Sequence, residues 1–303
     1  GRCIGGGAHD ATLSNCVIAG NSAPEANGIG GGAHRCVLYG CLVSNNTANA
    51  ASGYGGGIAG WSAALPCKAY NCTIITNSAW RCGGVYDYSI LSNSTISFNK
   101  AFSSGGGARG STLFNCMIIS NIAPDFAVGA GSCTLSNCTL IGNGTFYGVY
   151  YNCLIIGSQT LLYGNNSTYF RNCTISGCSH IYADSPNYIP MINCISWSNR
   201  YADVRTMATN SCGLPGDQNN YTNYLTGNMT NNPLFITEGR GYGTNLVPGN
   251  YRLQAGSPCI NIGMNQSWNT NAVDLDNRPR IRYGTVDMGC YEHIFDGTLY
   301  GIR

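Results

Sequence analysis

Charge is scarce in this chain. Lys, Arg, Asp and Glu make up 9% of 303 residues and leave a net charge of +2, so the basic face that nucleic acid requires has no basis here. No apolar run is long enough for a helix to cross a membrane. No CxxC pair occurs, which leaves a cysteine zinc cluster without its ligand spacing. No GxxxxGK[ST] occurs either, so the glycine runs are not phosphate cradles. What the chain does have is 42 Gly, 20 Tyr and 17 Cys, a composition of turns and small packed side chains.

A short unit recurs through the first two thirds. It reads Asn15-Cys16-Val17-Ile18, Gly40-Cys41-Leu42-Val43, Asn71-Cys72-Thr73-Ile74, Asn93-Ser94-Thr95-Ile96 and Asn115-Cys116-Met117-Ile118. It continues as Asn137-Cys138-Thr139-Leu140, Asn152-Cys153-Leu154-Ile155, Asn172-Cys173-Thr174-Ile175 and Asn193-Cys194-Ile195-Ser196. The intervals are 25, 31, 22, 22, 22, 15, 20 and 21 residues. A period of this size without helix-forming composition predicts stacked coils of β-structure.

The Cys of each unit is taken as position zero. Aliphatic residues at +2 share its face, because side chains alternate along a strand. Leu13, Leu38, Leu91, Leu113 and Leu135 at −3 have the opposite parity, so the chain must bend at −1, where Asn dominates. A second Asn column lies at +5: Asn21, Asn46, Asn77, Asn99, Asn121, Asn143 and Asn199. Amides stacked one rung apart hydrogen-bond up the column and satisfy turn backbone groups. Gly5-Gly6-Gly7, Gly30-Gly31-Gly32, Gly55-Gly56-Gly57 and Gly105-Gly106-Gly107 recur in phase, which predicts tight corners or a strip without side chains. Gly57 stands six residues early, so residues 61–66 read as an inserted loop.

This pattern resembles the right-handed parallel β-helix repeats of pectate-lyase-like proteins and of large bacterial surface proteins. The end of the chain is similar to the terminal segment of secreted bacterial β-helix proteins: Asn232-Pro233-Leu234-Phe235, Tyr251 through Ile260, Asp274-Leu275-Asp276 and Val286 through Glu292. Cys290 departs from that pattern, in which a small residue such as Ala is usual. The resemblance implies a secreted, surface-located product and says little about activity. The expected fold is therefore all-β: a right-handed parallel β-helix, a solenoid of about 22 residues per rung, over residues 1–199. Residues 200–303 are expected to form an irregular C-terminal capping segment with a strand-like tail. The eighteen-residue hexapeptide coils of a left-handed helix do not fit the intervals. Charge marks the same boundary, with 7 basic and 5 acidic residues before position 200 and 8 of each after it. The chain opens inside a repeat with no leader-like segment, which predicts a mature or excised product.

Eight cysteines occupy position zero and are expected as free thiols in an apolar stack, where a hydroxyl would cost about 1–3 kcal/mol. Cys36, Cys67 and Cys133 form a second column at −5. Cys212 and Cys259 lie outside the repeat and are the best candidates for a disulfide. A β-helix enzyme needs clustered carboxylates, yet Asp10, Glu25, Asp87, Asp125 and Asp184 fall at unrelated phases. Asp274, Asp276, Asp287 and Glu292 sit among Arg278, Arg280 and Arg282, which predicts ion pairs fastening the terminal segment rather than a calcium site. His9 and His34 share a phase and predict a surface ladder. Neither metal nor cofactor is expected.

Eleven N-x-[ST] sequons occur. Asn71, Asn93, Asn137, Asn172 and Asn143 belong to the columns, whereas Asn45, Asn165, Asn166, Asn220, Asn228 and Asn265 are candidate glycan sites. Tyr147, Tyr150, Tyr151, Tyr163, Tyr169 and Tyr182 crowd the middle coils, to stack on sugars or to pack against loops. The function these features predict is an extracellular or cell-surface structural or adhesive protein. It would self-associate head to tail into a fibre and carry glycans. The alternative is a polysaccharide lyase, a glycoside hydrolase or a passive carbohydrate-binding β-helix.

Overall fold

The computed structural model describes residues 4–48, 51–124, 129–142, 144–158, 162–164, 167–183, 189–203, 206–213, 223–224 and 226–295. Its chain winds into an all-β parallel β-helix. Equivalent repeat positions are in register: Thr73 lies between Leu42 and Thr95, and Ile74 between Val43 and Ile96. Among the described residues, one sheet has nine strands, running from Val17–Ala19 to Ile195–Trp197. A second has nineteen and takes two short strands from a coil, such as Ala33–His34 and Val37–Tyr39. A third joins Thr47–Ala48, Ser78–Ala79 and Lys100–Ala101. Parallel pairing continues past residue 199. Ile189–Ile192 pairs with Thr206–Thr209, which pairs with Asn223–Tyr224, and bridges link Ile195 to Cys212 and Cys212 to Met229. The change in charge near residue 200 is thus no break in the sheet.

The bend at −1 is made by backbone in the left-handed region. Asn15, Asn71, Asn93, Asn115, Asn137, Asn152, Asn172 and Asn193 all have φ between 51° and 55°. That conformation costs most residues about 1–2 kcal/mol, and Asn and Gly least; Gly40, at φ 59°, fills the same place in the second coil. The bend turns both −3 and zero inward, so Leu38, Leu91, Leu113 and Leu135 share one core with the position-zero thiols and the +2 aliphatics.

The +5 amides form a continuous buried ladder. Asn46 donates from both N and Nδ2 to Asn77 Oδ1 (3.0 Å each), and Asn77 does the same to Asn99 Oδ1 (2.9 and 3.0 Å). Asn99 repeats the pattern onto Asn121. Each Nδ2 also reaches a carbonyl one coil back, such as Val43 O for Asn77 (2.9 Å). Glycine makes the room: a Cβ on Gly32 would lie 2.8 Å from Asn46 Nδ2, and one on Gly107 2.9 Å from Asn121 Nδ2. The third glycine of each run and the amide ladder are two halves of one device.

The position-zero column is not a purely apolar stack, contrary to the sequence expectation. Cys72 Sγ donates to Tyr70 O (3.3 Å) and accepts from Cys41 N (3.4 Å). Ser94 does both jobs with oxygen, donating to Ser92 O (2.9 Å) and accepting from Cys72 N (3.0 Å). Ser211 serves one further coil identically, through Thr209 O and Cys194 N. Thiol and hydroxyl are interchangeable here because the corner supplies a donor and an acceptor to either. Burial pushes the thiols of Cys153, Cys173 and Cys194 well above the ordinary range.

Candidate functional site

Beyond Met229 the chain folds back along the outside of the helix, and the −1 asparagines receive it. Asn210 Nδ2 donates to Ile262 O (3.2 Å) and Asn193 Nδ2 to Met264 O (2.8 Å), while Met264 N returns a bond to Asn193 Oδ1 (2.7 Å). Asn172 Nδ2 reaches Asp287 O (3.1 Å), Asn152 Nδ2 reaches Val273 O (2.6 Å) and Asn137 Nδ2 reaches Asp274 O (3.4 Å). The corner column therefore reads peptide carbonyls, one coil after another. Beside it, Leu154, Ile156 and Ile195 on the outer face of the nine-stranded sheet pack with Phe235, Tyr251, Leu253, Met288 and Tyr291.

This docking divides the column in two. Asn137, Asn152, Asn172 and Asn193 are buried, whereas Asn15, Asn71, Asn93 and Asn115 are exposed. At the division lies a cleft of about 290 Å³, lined by Asn115, Cys116, Met117, Asn137, Thr139, Asp274, Leu275 and Asn277. The lining combines the amides of Asn115, Asn137 and Asn277, the Thr139 hydroxyl and the Asp274 carboxyl with the apolar Met117 and Leu275.

Asp274, the one acid among these lining residues, and the other acids of the terminal segment are already engaged. Asp274 Oδ1 accepts from the backbone N–H of Asp276 (2.9 Å) and Arg278 (2.8 Å), and Oδ2 from that of Glu292 (2.8 Å). Asp287 Oδ1 accepts from Asn261 N (2.7 Å) and Oδ2 from His293 N (2.6 Å). Arg280 and Glu292 form a buried pair at 3.0 Å, at 0% and 2% exposure, and burial pushes the Glu292 carboxyl up to about 8 against the pull of that guanidinium. Arg278 pairs with Asp276 (3.2 Å). Arg252, which the sequence did not single out, grips Asp276 through Nε (2.6 Å) and Nη2 and lies over the Tyr291 ring at 4.7 Å. Among the described residues Arg282 pairs with no acid; its guanidinium stands 5.8 Å from the Tyr283 ring. Among the described residues no group of three or more His, Cys, Asp or Glu could hold a metal ion.

The remaining candidates are scattered. His9 and His34 stack at 5.1 Å with their Nδ1 atoms 3.1 Å apart, but His34 is buried beneath Trp61 and only His9 is a surface residue. Trp61 belongs to the inserted loop, closed by Trp61 N to Leu65 O (3.0 Å). Tyr150 is buried and stacks on Phe170 at 4.7 Å. Tyr151 meets Trp268 edge-on at 5.0 Å, and Arg171 lies over Tyr151 and Tyr169; these rings pack against protein. The side chains of Tyr163 and Tyr182 lie outside the described residues.

Asn45 is exposed, and its Oδ1 accepts from Thr76 Oγ1 (2.9 Å). Asn228 is built into a coil, with Oδ1 accepting from Ser211 N (2.9 Å) and Nδ2 donating to Ala208 O (2.7 Å). Asn265 pins a turn through Gly284 O and Val286 N. Asn165, Asn166 and Asn220 lie outside the described residues. Cys212 and Cys259 are both fully buried free thiols, with their side chains in hydrogen-bond contact.

No family model matches this chain, and no curated protein does. Among solved structures it is similar to a crystal structure of pectate lyase Pel9A, at 14% identity and a TM-score of 0.49, covering 91% of this chain and 73% of that one. At that distance the site has to be read from its own residues.

Proposed function

We propose that this protein is a non-catalytic extracellular or cell-surface β-helix whose role is structural or adhesive. The observation that carries the reading is how its acids are employed. Hydrolysis of a glycosidic bond needs two carboxylates facing across it, and a calcium-dependent lyase needs carboxylates open to the ion. Here Asp274, Asp287 and Glu292 accept backbone N–H groups, and Asp276 is held by arginines. Asp10 is bonded to Arg35 (2.8 Å), and Glu238 accepts from Trp197 Nε1 and Asn232 Nδ2. An adhesive face is offered by the long sheet, where Tyr39, Ile90 and Phe114 stand exposed within four successive rungs and Lys68 lies on the rung between Tyr39 and Ile90. Aromatic edges and a lysine suit a hydroxyl-rich polymer.

Head-to-tail association and surface glycans belong to the same reading. Ala8, Ala11, Leu13 and Cys16 of the first coil are only partly buried, so a further coil, from upstream residues or from a second copy, would complete their burial. Asn45 is the described sequon best placed to carry a glycan. The test exposes the purified protein to a panel of acidic and neutral polysaccharides, reading retention and chain cleavage together. Retention without cleavage, lost in a Tyr39→Ala, Phe114→Ala double variant, is the expected result. New reducing ends or unsaturated products from any polymer would overturn the non-catalytic assignment.

A further inference from the structure

Four of the corner asparagines are followed two residues later by threonine: Asn71 by Thr73, Asn93 by Thr95, Asn137 by Thr139 and Asn172 by Thr174. An Asn with a hydroxyl residue two places on is the acceptor pattern for an N-linked sugar. Sequence phase alone groups all four as engaged column residues, and the structure divides them. Asn137 and Asn172 lie buried under the C-terminal segment, their Nδ2 atoms donating to Asp274 O (3.4 Å) and Asp287 O (3.1 Å). The Thr174 hydroxyl is taken as well, accepting from Cys290 N (3.2 Å). Asn71 and Asn93 stand exposed at the same corner, with Thr73 exposed and Thr95 half-buried beside them. Only the inward residue of each triplet, Cys72 or Ser94, is buried in the core.

We propose that Asn71 and Asn93 are acceptors for an N-linked sugar on the folded protein, an inference that rests on the surface-glycan part of the proposed function and adds two sites to Asn45. In the transfer, Asn Nδ2 bonds to the anomeric carbon of a phosphate-activated sugar. The bond from that carbon to the phosphate oxygen breaks, the phosphate leaves with the electron pair, and the amide loses one proton. The column supplies its own contrasts. Asn15 and Asn115 are exposed at the same corner but have Val17 and Met117 in the threonine place. Asn152 and Asn193 are buried and have Leu154 and Ile195 there. Of these eight asparagines, Asn71 and Asn93 alone combine an exposed amide with the hydroxyl that the acceptor pattern requires. Asn71 is the less crowded of the two. Its coil lies between those of Gly40, which has no side chain, and Asn93, whereas Asn93 lies between Asn71 and Asn115. Sugars at this corner would coat the part of the column that the C-terminal segment leaves bare.

The test incubates the folded protein, produced without sugars, with a soluble asparagine N-glycosyltransferase and a nucleotide-activated hexose. Hexose gain is mapped on peptides by mass spectrometry. Asn45 serves as the reference outside the corner column, and a denatured sample shows that the transferase accepts each sequon. In the folded protein Asn71 and Asn93 should be modified at rates within several-fold of Asn45, with Asn71 the faster, and Asn137 and Asn172 only after denaturation. Thr73→Val should abolish transfer to Asn71 and leave Asn93 unaffected. Met117→Thr, at a position 43% exposed, should bring Asn115 into the modified set. Modification of Asn45 with Asn71 and Asn93 untouched would overturn this proposal and leave the surface-glycan reading standing. No transfer to any sequon of the folded chain, Asn45 included, would overturn both. Equal rates at Asn71 and Asn137 in the folded protein would also overturn the proposal, because the C-terminal cover would then select nothing.

Discussion

Asn99 is the place to test whether the buried amide ladder holds the coils together. Its Oδ1 accepts from Asn77 N (2.9 Å) and Asn77 Nδ2 (3.0 Å), and its Nδ2 donates to Ile74 O (2.9 Å) and Asn121 Oδ1 (3.0 Å). Asn99→Ala removes all four bonds. Asn77 Nδ2 keeps Val43 O, and Asn121 Oδ1 keeps the backbone N–H of residue 99. The Asn77 backbone N–H loses its acceptor while remaining buried. An orphaned buried donor costs about 1–3 kcal/mol and each other lost bond about 1 kcal/mol, so the substitution should destabilise by about 4–6 kcal/mol. Asn99→Ser should cost less than Asn99→Ala, because the smaller Cys178, which holds the +5 place one coil before Asn199, still donates its side chain to Ile155 O (3.9 Å), the counterpart of Ile74 O. In a solenoid the loss stays near the lesion. Hydrogen exchange should therefore accelerate at Asn77 and around Cys72 to Asn121, and much less around Cys173 to Ser211. A denaturation free energy within about 1 kcal/mol of the parent, with unchanged exchange at Asn77, would show that the ladder is decoration.

Cys116→Ser should cost less than about 1 kcal/mol in denaturant titration, since a hydroxyl can make both corner bonds that Ser94 makes; a loss above about 3 kcal/mol would restore the apolar-stack view. Native thiol labelling at neutral pH should modify Cys16 first among the position-zero cysteines, because it alone of them is only partly buried. Glu292 holds its proton up to about 8 when folded, against 4.5 as its ordinary value, so the folded state binds more protons in that window. Stability should then fall as pH rises from 4.5 towards 8, and Glu292→Gln should flatten the profile; a parent profile rising across this range would contradict the raised carboxyl. After refolding with an oxidised dithiol, peptide mapping should recover Cys212 joined to Cys259, as their contact allows; recovery of both as alkylated thiols would reject that pairing.

Much of the architecture was legible in the chain because the constraints are local and repeated. Asn at −1, small residues at zero, aliphatics at +2 and Asn at +5 each answer to a single backbone geometry, and the left-handed φ values and the amide ladder lie where that phase puts them. The chemistry of position zero was misread, because sequence shows that Cys and Ser alternate but not that a corner hands each of them a donor and an acceptor. The acids of the terminal segment pointed to ion pairs, yet Arg252, 24 positions away, was invisible as a partner until the fold brought it beside Asp276.

The repeat by itself determined that this protein is a stack of parallel coils with its polar amides inside, since each coil sees only its neighbours and the same short pattern solves the same problem each time. Only the tertiary structure decided where the outside of that stack is covered. Whether a corner asparagine is exposed, as Asn93 is, or spends its amide on another part of the chain, as Asn193 does on Met264, depends on contacts between residues some 70 positions apart. The corner asparagine that both coils share cannot carry that difference.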